Sequence, residues 1–389
     1  MLKSVAIRSL LFVIAAVSAS SCSVFDLFDG DGSPPQNHLL WKDDRVPRGR
    51  PATDAGHVYF VSDRHRVIAL DATTGAELWS APADIGAVAQ AATFAGCEVG
   101  GLVVACGDNG DLIAYYRSNG AFAWRFHPSI GRQVDLYPFT AVDSTFFAGS
   151  RVGGALHAVS ATTGAERWAA IVPGLDGDCA VRDPAADKDI VVAAYWRAGK
   201  PTTGGVVAVD AGSGAVRWNT PLPRIAPDSD SSGAYAILWR DLVIASSNSG
   251  RIFGIDRATG AIRWNVAGVG KNPPTSAPRP VLWDYRALVI SGDRLFASSM
   301  YGWLTSYDPA TGQQLWEVYP GLSDGNGNPI KADGDAVYVT FFRGTVGILS
   351  ITDGKLRSVA NDTDLLASVA LASDRFFAPG EHGLYAYQK

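Results

Sequence analysis

The chain has 389 residues, of which 47% are hydrophobic and 18% charged, and it contains 42 glycines and 11 tryptophans. This composition excludes a disordered or collagen-like chain and favours a soluble, all-β body. The formal net charge is only −5, and no Lys/Arg cluster is dense enough to follow a phosphate backbone, so nucleic acid is not expected as a partner.

Residues 1–21 have the pattern of an export signal peptide. Lys3 and Arg8 precede an apolar run over 10–17 that is too short to span a bilayer, and small residues then lead to Cys22. This arrangement resembles a bacterial lipoprotein signal, which implies cleavage before Cys22 and acylation of its thiol. Ordinary cleavage that releases a soluble exported protein is the alternative.

The residues after the cysteine bear on where such a lipoprotein would lie. The residue that follows Cys22 is Ser23 rather than Asp. In the lipoprotein resemblance, this implies that the protein is anchored at the periplasmic face of the outer membrane. Residues 22–37 are acidic and contain Gly and Pro, which is typical of a flexible tether. A secreted or soluble periplasmic location is the alternative.

Three further cysteines lie in the mature region. Cys97 and Cys106 flank the turn-like sequence VGGL (99–102), and antiparallel pairing about this turn would allow a disulfide in an oxidising compartment. Two independent half-buried thiols are the alternative. Cys179 has no evident partner in the sequence and is expected to be a small buried residue.

A segment of eleven residues, ALDATTGAELW at 69–79, recurs along the chain with tryptophan always four residues after the turn glycine. A seventh copy at 349–358 has Ser358 in place of tryptophan. The turn glycines are 42 to 52 residues apart, and a period of this size is typical of a four-stranded propeller blade. The repeat tryptophans are Trp79, Trp124, Trp168, Trp218, Trp264 and Trp316.

The residue types of the repeat explain its structural role. In the first copy, alternating runs at 57–62 and 66–71 predict two strands, and a third begins near Glu77. Asp71 can accept backbone N–H groups in the turn, and Gly75 supplies the positive φ that closes it. A large tryptophan in a constant register then packs between neighbouring sheets.

Two incomplete units remain at the ends. Residues 365–389 contain three strand-like runs and stop before a fourth, whereas 39–44 is a lone outer strand that carries Trp41. Joining them predicts an eighth blade closed by both termini, which removes free sheet edges. We therefore predict an all-β fold over 38–389, a single eight-bladed β-propeller of four-stranded blades; seven blades is the alternative.

These repeats resemble those of pyrroloquinoline-quinone-type β-propellers over essentially the whole mature chain. That family includes quinoprotein dehydrogenases and BamB-like outer-membrane lipoproteins, which bind the barrel-assembly protein. The lipoprotein-like cysteine, the acidic tether, the single ring and the segment 289–318 are similar to the BamB-like group. The resemblance implies a non-enzymatic, monomeric scaffold that binds the assembly machinery.

The partner-binding residues are less well matched. BamB-like proteins carry Arg and Asp residues for this purpose on loops between blades. Here the candidate loop 221–235 is acidic where a basic residue is expected, whereas Asp284 matches the acidic member. Asp284 is therefore the predicted partner-binding residue.

The quinoprotein alternative requires a divalent cation, usually calcium, and a catalytic carboxylate. The vicinal cysteine pair of the larger dehydrogenases has no match, because Cys97 and Cys106 are nine residues apart. The stretch 324–335 begins like a calcium loop, but Pro329 occupies the position that requires glycine. The six histidines lack metal-site spacing. We therefore expect no catalytic residue, metal or cofactor, although bound calcium or quinone is left open. An exported propeller that binds another protein or a glycan is a further alternative function.

Overall fold

The computed structural model of the chain describes residues 35–83, 94–96, 101–106, 110–130, 133–134, 139–174, 179–199, 203–224, 233–248, 250–267, 288–298, 303–320, 330–341, 344–361 and 368–389. The described residues form β-strands and turns. Among them, no helix has the length and apolarity needed to cross a membrane.

The strands form eight antiparallel sheets, which are the eight blades of a propeller. Within a blade, the strands are called a to d from the ring axis outward. The first strand of the chain, β1 (Leu39–Asp43), belongs to blade 8. Blade 1 contains β2 (Ala52–Thr53), β3 (His57–Val61), β4 (Arg66–Asp71) and β5 (Glu77–Pro82), and blade 2 contains β6 (Phe94–Gly96), β7 (Leu102–Cys106), β8 (Leu112–Tyr116) and β9 (Phe122–Phe126). Blade 3 contains β10 (Gln133–Val134), β11 (Thr140–Val142), β12 (Thr145–Val152), β13 (Ala155–Ser160) and β14 (Glu166–Ile171). Blade 4 contains β15 (Cys179–Ala186), β16 (Ile190–Arg197), β17 (Thr203–Asp210) and β18 (Val216–Pro221).

The second half of the ring repeats this plan. Blades 5 to 8 contain β19 (Gly233–Trp239), β20 (Leu242–Ser247), β21 (Arg251–Asp256) and β22 (Ile262–Ala267); β23 (Leu288–Ser291), β24 (Arg294–Ser298), β25 (Leu304–Tyr307) and β26 (Gln314–Val318); β27 (Ile330–Asp333), β28 (Ala336–Phe341), β29 (Thr345–Ser350) and β30 (Leu356–Asn361); and β31 (Ala370–Leu371), β32 (Arg375–Gly380) and β33 (Gly383–Gln388), with β1 as the outer strand. The prediction of eight blades is confirmed.

The hydrophobic core is divided among the interfaces between blades. Between blades 8 and 1, for example, Phe60 and Leu70 pack against Phe377 and Leu384. The same arrangement recurs around the ring, because each cluster of buried residues draws its members from two neighbouring blades. Side chains of a strand alternate between the two faces of its sheet, so the central strands of a blade serve two clusters at once.

Blade 8 closes the ring through its two chain ends, as the sequence predicts. β1 pairs antiparallel with β33, so that Trp41 lies opposite Ala386 and Lys42 lies opposite Tyr385. The backbone N–H of Gln388 also donates a 3.0 Å hydrogen bond to the carbonyl of His38. The outer edge of β33 is thereby paired. Cys179, on β15, is fully buried.

Candidate functional site: the turn face of the propeller

One end of the ring carries the turns between strands a and b and those between strands c and d; this end is called the turn face. The c–d turn of blade 1 is held by Asp71, whose Oδ1 accepts hydrogen bonds from Thr73 N at 2.9 Å and from Thr74 N at 2.8 Å. Gly75 closes the turn with a φ of +73°. The same side-chain geometry recurs around Asp210 and Asp256.

Each repeat tryptophan on a d strand lies against the c–d turn of the following blade. A Cβ added to Gly120 would be 2.3 Å from Cε3 of Trp79, so only glycine allows this contact. Six indole N–H groups also donate to a carbonyl of the same turn, which joins consecutive blades by one polar and one apolar contact. These pairs are Trp41–Ala72, Trp79–Arg117, Trp124–Ala161, Trp168–Ala211, Trp218–Arg257 and Trp316–Ile351.

Trp264 departs from this pattern. Its Nε1 is buried and has no hydrogen-bond acceptor among the described residues. The cross-strand partner of Trp264 is Gly254, and a Cβ at Gly254 would be 2.1 Å from Cε2 of the indole. In blades 1 to 4 this partner is alanine. The indole of Trp264 therefore lies closer to its own sheet, which accounts for the missing hydrogen bond.

The side chain of the residue before each repeat tryptophan lies on the turn face, between the a–b turn and the c–d turn of its own blade. In blade 5, Arg263 binds both Asp241 of the a–b turn and Asp256 of the c–d turn. In blade 4, Arg217 contacts Asp189 and Asp210 in the same way, each at 2.8 Å. Two further arginines occupy this register: Arg167 binds Thr145 and Ser144 in blade 3, and Arg357 binds Asp335 in blade 7.

These contacts change the acidity of the turn carboxylates. Hydrogen bonds from Arg263 and then from Thr259 lower the pKa of Asp256 to about 2. Hydrogen bonds from Arg217 and Ser213 likewise hold the pKa of Asp210 well below its usual value of 3.8. Both carboxylates are therefore charged at any physiological pH, and both are committed to an arginine of their own blade.

Leucine replaces this arginine in blades 1, 6 and 8, and a cleft lies at the positions in blades 1 and 6. Leu78 of blade 1 is 48% exposed and lines a cleft of about 860 Å³ between blades 1 and 2. Leu315 of blade 6 is 45% exposed and lines a cleft of about 400 Å³ between blades 6 and 7. Without the guanidinium, the turn face keeps an apolar surface between its a–b and c–d turns.

The cleft between blades 1 and 2 has a polar wall around Asp54, whose side chain is only 8% exposed. Tyr59 Oη donates to Asp54 at 2.8 Å and Arg117 Nη1 donates at 2.9 Å. Burial alone would raise the pKa of Asp54, but hydrogen bonds from Gly56, Tyr59 and His57 outweigh it and lower this pKa. The carboxylate therefore acts as a charged structural anchor for this wall.

Several residues predicted to be functional lie outside the described residues, so their roles stay predictions. They are Cys22, Cys97, Asp284 and the side chain of Cys106. The described residues contain no group of three or more His, Cys, Asp or Glu side chains that could hold a metal ion. The sequence analysis missed the turn-face arginines and the two leucine clefts: the residue before each tryptophan is visible in the sequence, but the turns that its side chain reaches are not.

The eight blades, the c–d turns that end in glycine and the docked tryptophans define a β-propeller of the pyrroloquinoline-quinone repeat type. A family model described as outer membrane protein assembly factor BamB matches residues 32–177 and 108–357. The chain belongs to this family. No curated protein has a significant sequence match to the chain.

Solved structures show the same fold at low sequence identity. BamB from Moraxella catarrhalis has a TM-score of 0.67 and 18% identity, and the match covers 91% of this chain and all of that one. Quinohemoprotein alcohol dehydrogenase ADHIIG from Pseudomonas putida HK5 has a TM-score of 0.65 and 16% identity, covering 91% of this chain and 76% of that one. Sqt1 from Saccharomyces cerevisiae has a TM-score of 0.71 at 11% identity, covering 92% and 99%.

Proposed function

We propose that the protein is a non-enzymatic scaffold lipoprotein that assists the assembly of outer-membrane β-barrel proteins by binding the assembly machinery. The observation that carries this proposal is the match to the BamB family model, which spans residues 32–357 in two overlapping segments. The similarity to BamB from Moraxella catarrhalis over all of that chain supports the same assignment.

The proposed domain organisation follows from this function. Residues 1–21 act as a signal peptide, Cys22 carries the lipid and 22–37 form a tether that places the propeller of 38–389 at the periplasmic face of the outer membrane. The propeller suits a scaffold because a buried cluster joins each blade to the next, and a docked tryptophan reinforces every interface except that between blades 7 and 8, where Ser358 replaces it. Asp284 is the proposed contact to the assembly protein.

Affinity purification from cross-linked native membranes tests this function. A C-terminally tagged protein is expected to recover the barrel-assembly protein, and the Cys22→Ala variant is expected to recover less because it lacks the anchor. Asp284→Asn, compared with wild type at equal expression, tests the proposed contact residue. Recovery of the wild-type protein from membranes without the assembly machinery would refute the scaffold assignment.

A quinone-dependent oxidoreductase is the second candidate, favoured by the fold similarity to quinohemoprotein alcohol dehydrogenase. It predicts that the purified protein binds quinone in the presence of calcium and then oxidises an alcohol or sugar with an artificial electron acceptor. Quinone binding without turnover would instead indicate a ligand sensor. Absence of both binding and turnover would eliminate this candidate without affecting the scaffold proposal.

A further inference from the structure

The blade 5 turn face shows how this fold binds a guanidinium group. Arg263 lies between Asp241 and Asp256, and its Nε donates to Asp256 Oδ2 at 3.0 Å while its Nη1 reaches Asp241. Two carboxylates on two turns thus bind the two sides of one planar, fork-shaped cation, an arrangement that suits arginine better than lysine. Blade 4 repeats it with Arg217.

Blade 6 has the same pair of carboxylates in the same backbone setting. Asp293 follows Gly292, whose φ of +57° matches the φ of +50° at Arg240 before Asp241. Asp308 Oδ1 accepts a hydrogen bond from Ala310 N at 2.8 Å, just as Asp256 Oδ1 accepts one from the equivalent backbone N–H. Both aspartates line the cleft between blades 6 and 7.

The blade 6 pair has no arginine of its own, because the register position is Leu315. Among the described residues, Asp293 pairs with Arg240 of blade 5 at 2.7 Å; both side chains are exposed, and such pairs contribute little to stability. Arg294 also lines the cleft, and its Nη1 donates to the carbonyl of Thr352 at 3.4 Å. Within the described part of the chain, no side chain donates to Asp308 Oδ2.

We propose that the cleft between blades 6 and 7 binds the guanidinium group of an arginine side chain on a partner protein segment. Asp308 and Asp293 accept hydrogen bonds from the guanidinium, as the equivalent residues do in blade 5. Leu315, which is 45% exposed, contacts the aliphatic stem of the incoming arginine. Because a–b and c–d turns lie at the opposite end of the strands from the connections between blades, this site leaves those connections free for another partner.

A pair of short peptides tests the site directly. The probe is a fluorescein-labelled Gly-Leu-Arg-Leu-Gly peptide, and its control carries neutral citrulline, which has nearly the same shape, in place of arginine. Fluorescence anisotropy with the purified protein should show that the arginine peptide binds at least about tenfold more tightly, since hydrogen bonds to charged groups are the stronger ones. Equal binding of the two peptides would overturn the proposal.

Variants of the protein locate the binding. Leu315→Arg supplies the guanidinium from the same chain, as in blade 5, and should weaken binding of the arginine peptide by at least about tenfold. Leu315→Gln, which changes polarity without adding charge, is the matched control and should bind at least about threefold more tightly than Leu315→Arg. Asp308→Asn should also weaken binding, whereas unchanged binding to Leu315→Arg would place the peptide elsewhere and refute the site.

A reciprocal variant guards against a folding artefact. Arg263→Leu reproduces the blade 6 arrangement in blade 5, so the amount of arginine peptide bound at saturation should double. Thermal unfolding of Leu315→Arg should occur at the wild-type temperature or above. Peptide binding is measured without the assembly machinery, so its outcome is independent of the proposed function.

Discussion

The indole N–H of Trp41 donates a 3.2 Å hydrogen bond to the carbonyl oxygen of Ala72, which joins the first strand of the chain to the c–d turn of blade 1. The same indole lies against Gly75, where an added Cβ would be 2.8 Å from Cδ2. Trp41 therefore performs at the ring closure the docking that repeat tryptophans perform elsewhere. The eighth interface is made by a strand that lies more than 300 residues from the rest of its own blade.

Trp41→Ala should destabilise the whole ring because it removes the docked side chain of this closing interface. The expected loss in the free energy of unfolding is about 2–4 kcal/mol, measured by urea denaturation. Leu40→Ala is the control on the same strand, since Leu40 is 37% exposed, and its effect should stay within about 0.5 kcal/mol. Similar losses for both variants would show that the closure does not depend on docking.

Gly120→Ala and Gly101→Ala separate backbone strain from tryptophan docking. Both glycines have a φ of +70°, so alanine is strained by about 1 kcal/mol or more at either position. Only at Gly120 does the added Cβ meet an indole, that of Trp79 at 2.3 Å; nothing among the described residues lies within 4 Å of it at Gly101. Gly120→Ala should therefore lower the free energy of unfolding by about 1–3 kcal/mol more than Gly101→Ala does, measured by thermal or urea unfolding.

Trp168→Phe and Trp264→Phe measure how much the indole hydrogen bond contributes to the free energy of unfolding. The two variants are comparable because both indoles are half-buried. Trp168 donates to the carbonyl of Ala211 at 3.0 Å, whereas Trp264 has no acceptor among the described residues. Trp168→Phe should cost about 0.5–1.5 kcal/mol more than Trp264→Phe because it alone leaves a carbonyl without its donor. If the two variants lose the same free energy of unfolding in urea, apolar contact, and not the hydrogen bond, accounts for the stability that tryptophan docking provides.

Asp256→Asn should give a stability difference from wild type that depends on pH. Arg263 lowers the folded-state pKa of Asp256 to about 2, below its ordinary value of 3.8, so the folded protein binds this proton less readily than the unfolded one. The stabilisation is complete above about pH 3.8 and is lost as the pH falls towards 2. Urea unfolding of both proteins across this range should show the two stabilities converge in acid.

The variant Arg263→Leu provides the control for this pH dependence. Without Arg263, the largest cause of the low pKa is absent, so adding Asp256→Asn should produce a smaller difference with a weaker response to pH. A difference that stays constant from neutral pH into acid would show that Asp256 acts only through its uncharged contacts.

Much of the fold could be predicted because its signals are local. The Asp–Thr–Thr–Gly turn and the tryptophan after it occur within eleven residues, and their period sets the blade length. Blade 8 was also predictable, since a lone strand with Trp41 and three strands at the other end complete one unit. The two-residue inner strand β2 carries too few residues to show a period, so its position came only from the structure.

The clefts could not be predicted from the same signals. Arg263 and Leu315 occupy equivalent positions, but their consequence depends on the distance between two turns that are brought together by folding. The missing hydrogen bond of Trp264 depends on its cross-strand neighbour, Gly254, which the repeat pattern alone does not single out. Side chains that reach across turns or between blades thus need the three-dimensional register.

The pairing of β1 with β33 has a mechanical consequence. A pull on the chain ahead of residue 35 acts first on the bridge between Gln36 and Val359 of blade 7, then on β1, the outer strand of blade 8, and only afterwards on blade 1. At β1 the resistance comes from the β1–β33 hydrogen bonds and from the Trp41 contact with the next turn. The strand that closes the ring is therefore also a part that bears load from the N-terminal segment, and detaching it would expose the edge of β33 to pairing with another chain.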